Sequence, residues 1–262
     1  MPKHKIRTPN DPWLRPGYDA LNHYFGHRGE METPAVIDLR LHWNPATAND
    51  GYAFQYEMIV LTDDAGKILA VRDHSVIVPN PPRSNSSRAA IVHLSHIWIA
   101  EEERGKHGAF LNDDDPIQIA RDAIASTGLP DTTPIVLVAE AEPYQADNVE
   151  RVNRLRIFRA MRYKPVDPSS IVYLQPDFRP PSVIDAEGGP QPLPLTLLIK
   201  QIGNEKNDSI SADEVRHIVT CLYRMYGAGM QAEHMHSVYD SLANYPSGAI
   251  PISLLWKNTG LQ

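Results

Sequence analysis

One stretch, Ile91 to Leu111 (IVHLSHIWIAEEERGKHGAFL), constrains this chain more than any other. Its opening, IVHLSHIWI, reads as a largely buried strand. Three glutamates follow, and then a short basic loop, Arg104-Gly105-Lys106-His107-Gly108-Ala109. Gly105 and Gly108 can take backbone angles closed to other residues, so successive N–H groups can converge on an anion. Arg104 and Lys106 bring positive charge to the same place. A strand running through such a loop into a helix suits a phosphate cradle. A tight strand-exit turn uses the same residues, and both readings stand at this point.

The remaining composition narrows the class. At 262 residues, 42% hydrophobic and with net charge −7, the chain suits one large domain or a domain with an extension. No apolar run reaches the length of a membrane span, and the polar, proline-broken Met1 to Pro16 is unlike a signal peptide. The single cysteine, Cys221, rules out an internal disulfide and fits a reducing cytoplasm. The acidic balance argues against nucleic acid as the main partner.

In chain order, residues 1–30 read as an N-terminal arm with a short helix over Gly17–Phe25. Thr33 to Trp43 reads as a strand, from the near-alternation of Val36, Leu39 and Leu41. Tyr52 to Val78 is a hairpin turning at Asp63–Lys67, and Pro79 to Arg88 is a proline- and serine-rich loop. After the central stretch, Asp115-Pro116 marks a helix start and Gly128 its end. Pro134-IVLVAEAE is a buried strand. A helix capped at Asp147 or Asn148 follows, with Val152, Leu155 and Phe158 at helical spacing. Ser170–Phe178 and Leu193–Ile202 are the next strands. Ser211-x-x-Glu214 is a capping box opening a helix striped by Val215, Ile218, Val219, Leu222 and Met225. That stripe must bury against the main domain or against a second copy in a homodimer. A second helix lies beyond Gly229, and Ile250–Trp256 is a short edge strand.

Taken together, a hairpin, a long strand, a glycine loop, a helix, a strand, a helix and two more strands resemble the GCN5-related N-acetyltransferase family over roughly residues 36–203. Arg104 and Ala109 match the ends of that family's loop pattern, Arg/Gln-x-x-Gly-x-Gly/Ala. His107 stands where its central glycine would be, and Asn112-Asp113-Asp114-Asp115-Pro116 interrupts the usual run into the helix. Phe158 lines up best with the tyrosine that in many members protonates the leaving thiolate. The resemblance implies acyl-CoA, acetyl-CoA first, as cosubstrate. The main chain of Ile97, Trp98 and Ile99 would hold its pantetheine arm, and Arg104, Gly105, Lys106, His107, Gly108 and Ala109 its pyrophosphate. The acceptor would be a small-molecule amine or a protein amino terminus.

Acyl transfer to an amine needs a base, and histidine titrates in the right range. His93 is the candidate base; it shares a strand face with Ser95, with His96 expected on the opposite face. Glu140 and Glu142 share a face of the next strand and could meet a cationic acceptor or act through water. Glu57 and Asp73-His74 lie on the hairpin, and spacing alone does not say whether they converge. Tyr163 and Tyr173 are further proton donors. His217 with Cys221, and His234 with His236, offer only a weak metal spacing, so no metal site is expected.

The expected fold is mixed α/β: a mostly antiparallel, partly splayed sheet with helices on both faces over residues 31–204, and a helical C-terminal extension over 205–262. The expected activity is acyl-CoA-dependent N-acyl transfer. The alternative is a non-catalytic relative that binds a CoA ester or a protein partner.

Overall fold

The computed structural model describes residues 1–47, 51–79, 89–106, 110, 112–252, 256 and 259. The chain divides into two compact units, Met1–Thr133 with Phe178–Pro180, and Pro134–Asp177 with Pro181–Gln262. The fold is mixed α/β, with antiparallel strand pairs flanked by helices. No helix among the described residues is long and apolar enough to cross a membrane.

The first unit contains β1 (Lys3–Ile6), α1 (Leu14–Phe25), α2 (Pro34–Leu41), β2 (Tyr52–Thr62), β3 (Ile68–Pro79), β4 (Ala90–Ile99) and α3 (Asp114–Ser126). Its strands pair antiparallel in the order β1, β2, β3, β4. The β2–β3 turn forms as its composition predicts: Asp63 Oδ1 accepts from the amides of Ala65 and Lys67, and Gly66 takes φ +84°. Strand alternation then sorts the two faces. Ile6, Tyr56, Met58, Val60 and Val71 face α1 and α2, where Tyr18, Leu21, Ile37 and Leu41 complete a core. Gly17 lets α1 lie directly on β2, since a Cβ there would sit 2.7 Å from the Val60 side chain. Ile59, Leu61, Leu69 and Ala70 share a second core cluster with Phe110.

Two local readings are corrected here. The stretch Thr33–Trp43 holds the helix α2 (Pro34–Leu41) rather than a strand. Thr33 is extended, Pro34 starts the first turn, and Ile37 and Leu41 are buried one turn apart. The apolar spacing fits both periods, and the proline decides for the helix. The start of the chain is not an arm throughout, because residues 3–6 form the edge strand β1. Its alternation sends Lys3 and Lys5 to Asp115 of α3 at 2.7 and 2.8 Å. His4, on the other face, stacks on Trp13. Asp115 therefore grips β1 and does not cap α3, which begins one residue earlier.

The second unit contains β5 (Ile135–Ala141), α4 (Val149–Ala160), β6 (Lys164–Pro165), β7 (Tyr173–Gln175), α5 (Pro181–Ala186), β8 (Leu193–Gln201), β9 (Ser209–Ser211), α6 (Ala212–Gly227), α7 (His236–Ser241) and β10 (Ala249–Pro251). Strand β8 pairs antiparallel with β5, β6 and β7. The caps form as the sequence indicates: Asn148 Oδ1 accepts from the Arg151 amide, and Ser211 Oγ from the Glu214 amide at 3.1 Å. The α6 stripe of Val215, Ile218, Val219, Leu222 and Met225 is fully buried. Ile250 pairs with Ile210 within β10, at the start of the expected edge strand Ile250–Trp256; residues 253–255 of that stretch lie outside the described residues.

Candidate active site

In the first unit, the decisive local feature is an irregularity in β4. Asp73 pairs with His96 while His74 pairs with Leu94, so Ser95 is an extra residue, a β-bulge. A regular strand would alternate His93 and His96 onto opposite faces. The bulge puts both on the face toward α1, opposite Ser75 and Asp73 respectively. The expectation that His96 points the other way is thereby corrected, and no sequence pattern announces the bulge.

His96 is fully engaged on that face. Its amide and its Nδ1 lie 2.8 and 3.0 Å from Asp73 Oδ1, and its Nε2 lies 2.8 Å from the carbonyl of Glu30. Tyr56 donates to the other Asp73 oxygen at 2.8 Å. Burial alone would keep the imidazole neutral, but the Asp73 carboxylate overrides it and lifts the pKa to about 9. His96 is thus an imidazolium locked in a buried ion pair and is unsuited to accept a proton. Arg40 and Glu32 form a second buried pair on this face at 2.5 Å.

His93 sits in β4 at only 2% exposure, with its Nδ1 3.0 Å from Ser95 Oγ. The opposite face carries the group whose convergence the spacing left open. Glu57 and His74 are direct cross-strand partners, with His74 Nε2 3.3 Å from Glu57 Oε1. Arg7, just past β1, reaches Glu57 at 2.5 Å and Asp122 of α3 at 3.2 Å. Burial raises the carboxyl's affinity for a proton, but His74 and Arg7 together hold its pKa below the usual carboxylate value. Burial pushes the His74 imidazole down. Asp73 belongs to the other face, so the two halves of Asp73-His74 serve separate networks.

Beyond the bulge, β4 runs out through Ile97, Trp98 and Ile99, which pair with Arg72, Val71 and Ala70. Ile97 is 38% exposed. Glu101–Glu103 make a 3₁₀ turn, Arg104 is exposed, and Gly105 takes φ +83° with open space where a side chain would project. The amides of Arg104 and Lys106 donate to the carbonyls of Glu101 and Glu103, and the Lys106 ammonium lies 3.2 Å from Glu103. The arrangement offers an anion the Arg104 guanidinium and the Gly105 backbone more than a ring of converging amides. His107, Gly108 and Ala109 lie outside the described residues. The aspartates after the loop are partly accounted for: Asp115 is neutralised by Lys3 and Lys5, and Asp114 accepts from Asn112 at 2.7 Å. Arg72 Nη1 donates to the carbonyls of Phe110 and Asn112 at 2.8 and 2.9 Å, pinning the approach to α3.

In the second unit, Glu140 of β5 accepts from Tyr173 and from Gln175, the latter at 2.8 Å, and from Tyr226 of α6 at 3.1 Å. Burial, then the Glu140 charge, keeps the Tyr173 proton on its oxygen far above the usual range. Tyr173 is a poor acid in that setting. Glu142 is held by Arg154, and although burial opposes ionisation its carboxyl stays below its usual pKa. The two glutamates thus take different partners. Tyr163 is buried with its ring edge-on to Phe158, 5.4 Å between centroids. His234 turns to Asp185 at 2.9 Å. Among the described residues no group of three or more His, Cys, Asp or Glu side chains is placed to hold a metal ion.

No family model matches the chain, and no curated protein does. Similar solved structures include Arabidopsis thaliana NAA60 in complex with acetyl-CoA, at 12% identity and TM-score 0.42 over 78% of this chain and 99% of that one. An acetyltransferase of GNAT family from Staphylococcus aureus Mu50 matches at 7% identity and TM-score 0.40, over 77% and 99%. An aminoglycoside 6'-N-acetyltransferase complexed with coenzyme A matches at 14% identity and TM-score 0.36, over 77% and 97%. The chain is similar, at low identity, to acetyltransferases of the GNAT family.

Proposed function

We propose that this protein transfers an acyl group, acetyl in the first place, from acyl-CoA to a small amine or an amino-terminal group by direct attack. The observation that supports this most is the end of β4. A half-exposed apolar strand delivers its chain into a turn with an exposed arginine and a left-handed glycine, while Asp115 is drawn off by β1. Charge and backbone at Arg104-Gly105-Lys106 fit a pyrophosphate, and the main chain of Ile97–Ile99 suits an extended pantetheine arm.

The thioester supplies an activated carbonyl; the chain supplies position and a proton acceptor. His93 is the base on which the proton of the attacking amine ends. Glu140, its oxygens fixed by Tyr173, Tyr226 and Gln175, is a rigid acceptor suited to face an ammonium or to orient a water. Glu142 follows at that end of β5, its charge matched by Arg154.

Titrating acetyl-CoA while following thermal unfolding and free-thiol release across a panel of amines tests this reading. At a hundredfold excess over its dissociation constant the ligand adds about 2.7 kcal/mol. For a chain of this size that is a rise of roughly 5–11 °C in melting temperature. Millimolar CoA esters that leave the melting temperature unmoved would refute the cosubstrate.

Arg104→Ala is expected to weaken CoA binding by about 1.5–3 kcal/mol, the range for a charge-assisted hydrogen bond, with little effect on folding because the side chain is exposed. Calorimetric titration of the variant reads this directly, and unchanged affinity would make Arg104 a bystander.

A further inference from the structure

His93 is buried too deeply to touch a substrate atom itself: its exposure is 2%. It reaches Ser95, whose Oγ lies 3.0 Å from His93 Nδ1. Ser95 is half-buried rather than buried, and it is the extra residue of the β4 bulge. Bulges re-aim side chains and are over-represented beside active sites. Ser75 of β3 stands directly across from His93 and is fully buried. The neighbouring His96 is committed to Asp73 and to the Glu30 carbonyl, so it does not compete for the Ser95 hydroxyl.

We propose that Ser95 is the catalytic relay of this acyl transfer, the hydroxyl through which the acceptor amine hands its proton to His93. This rests on the acyl-transfer reading. As the amine nitrogen bonds to the acyl carbon, its proton passes to Ser95 Oγ while the proton already on Oγ passes to His93 Nδ1. The C–S bond breaks with its electron pair leaving on sulfur. The thiolate then takes a proton from water, and the imidazolium returns its proton to solvent. Ser95 ends as it began, and His93 must present an unprotonated Nδ1, with its resting proton on Nε2.

The test combines two variants and a spectrum. Ser95→Ala is expected to lower kcat roughly 10–100-fold, less than the full loss of a general base because a water can fill part of the gap. KM for acetyl-CoA and the melting temperature should hold. Ser95→Thr keeps the hydroxyl and should restore kcat to within a few-fold. Imidazole ¹⁵N shifts of the wild type should show Nδ1 as the unprotonated nitrogen. A Ser95→Ala protein that keeps its kcat, a folded Ser95→Thr protein as slow as the alanine variant, or a proton found on Nδ1 each overturns the relay alone. A wild type that releases no thiol with any amine overturns acyl transfer and the relay with it.

Discussion

His93→Gln is expected to cut turnover by about 10²–10⁴-fold, the usual cost of removing a general base. Glutamine keeps much of the volume and a polar end but does not take up the proton. The loss should fall on kcat, with acetyl-CoA affinity nearly unchanged, because the turn proposed to hold the pyrophosphate begins some ten residues downstream, past Ile99. The competing account is a buried histidine whose hydrogen bond to Ser95 only stabilises β4. In that case the melting temperature and the activity would fall together. Measuring both on one preparation separates the accounts, and a well-folded variant with full turnover would remove His93 from the mechanism. Glu140 acting through a water would then be the better base.

The second large effect is on stability. Asp73 is buried and receives Tyr56, the His96 amide and the His96 ring at once. Asp73→Ala leaves the histidine and the phenol buried without their acceptor, at a cost of about 3–5 kcal/mol. The same pair predicts an alkaline weakness. The folded pKa of His96 is raised to about 9, above the roughly 6.5 of an unfolded histidine. Its contribution is therefore complete below pH about 6.5 and is lost as pH rises through about 9. Asp73 runs the other way: burial works against its charge, yet His96 and Tyr56 hold its pKa down, so its contribution is lost only in acid. Denaturant midpoints measured at pH 6 and pH 9.5 should show the wild type weakening and Asp73→Ala nearly flat over that interval. Equal slopes for the two proteins would show that the pair does not govern the alkaline limb.

What the sequence by itself determined is local. The β2–β3 hairpin follows from alternation and the Asp63–Lys67 turn; the ends of α4 and α6 follow from Asn148 and Ser211, whose oxygens bond amides three residues on. The existence of β4, the turn at Gly105 and α3 was legible for the same reason, since a strand, a glycine turn and a helix start each depend on a few adjacent residues. Thr33–Trp43 was not, because its apolar spacing satisfies both periods until Pro34 is weighed.

Only the tertiary structure decided the rest. The bulge at Ser95 depends on how β4 registers on β3, and that one extra residue brings His96 onto the face of His93. Asp115, read with Pro116 as a helix start, is spent on Lys3 and Lys5, more than a hundred residues away in sequence. Glu57 found His74 and Arg7, Asp73 found His96, and Glu140 found Tyr226 on α6. Each partner lies at a separation set by chain topology, and a buried charge takes whichever counter-group the packing delivers, because leaving it unpaired costs more than any local preference can offset.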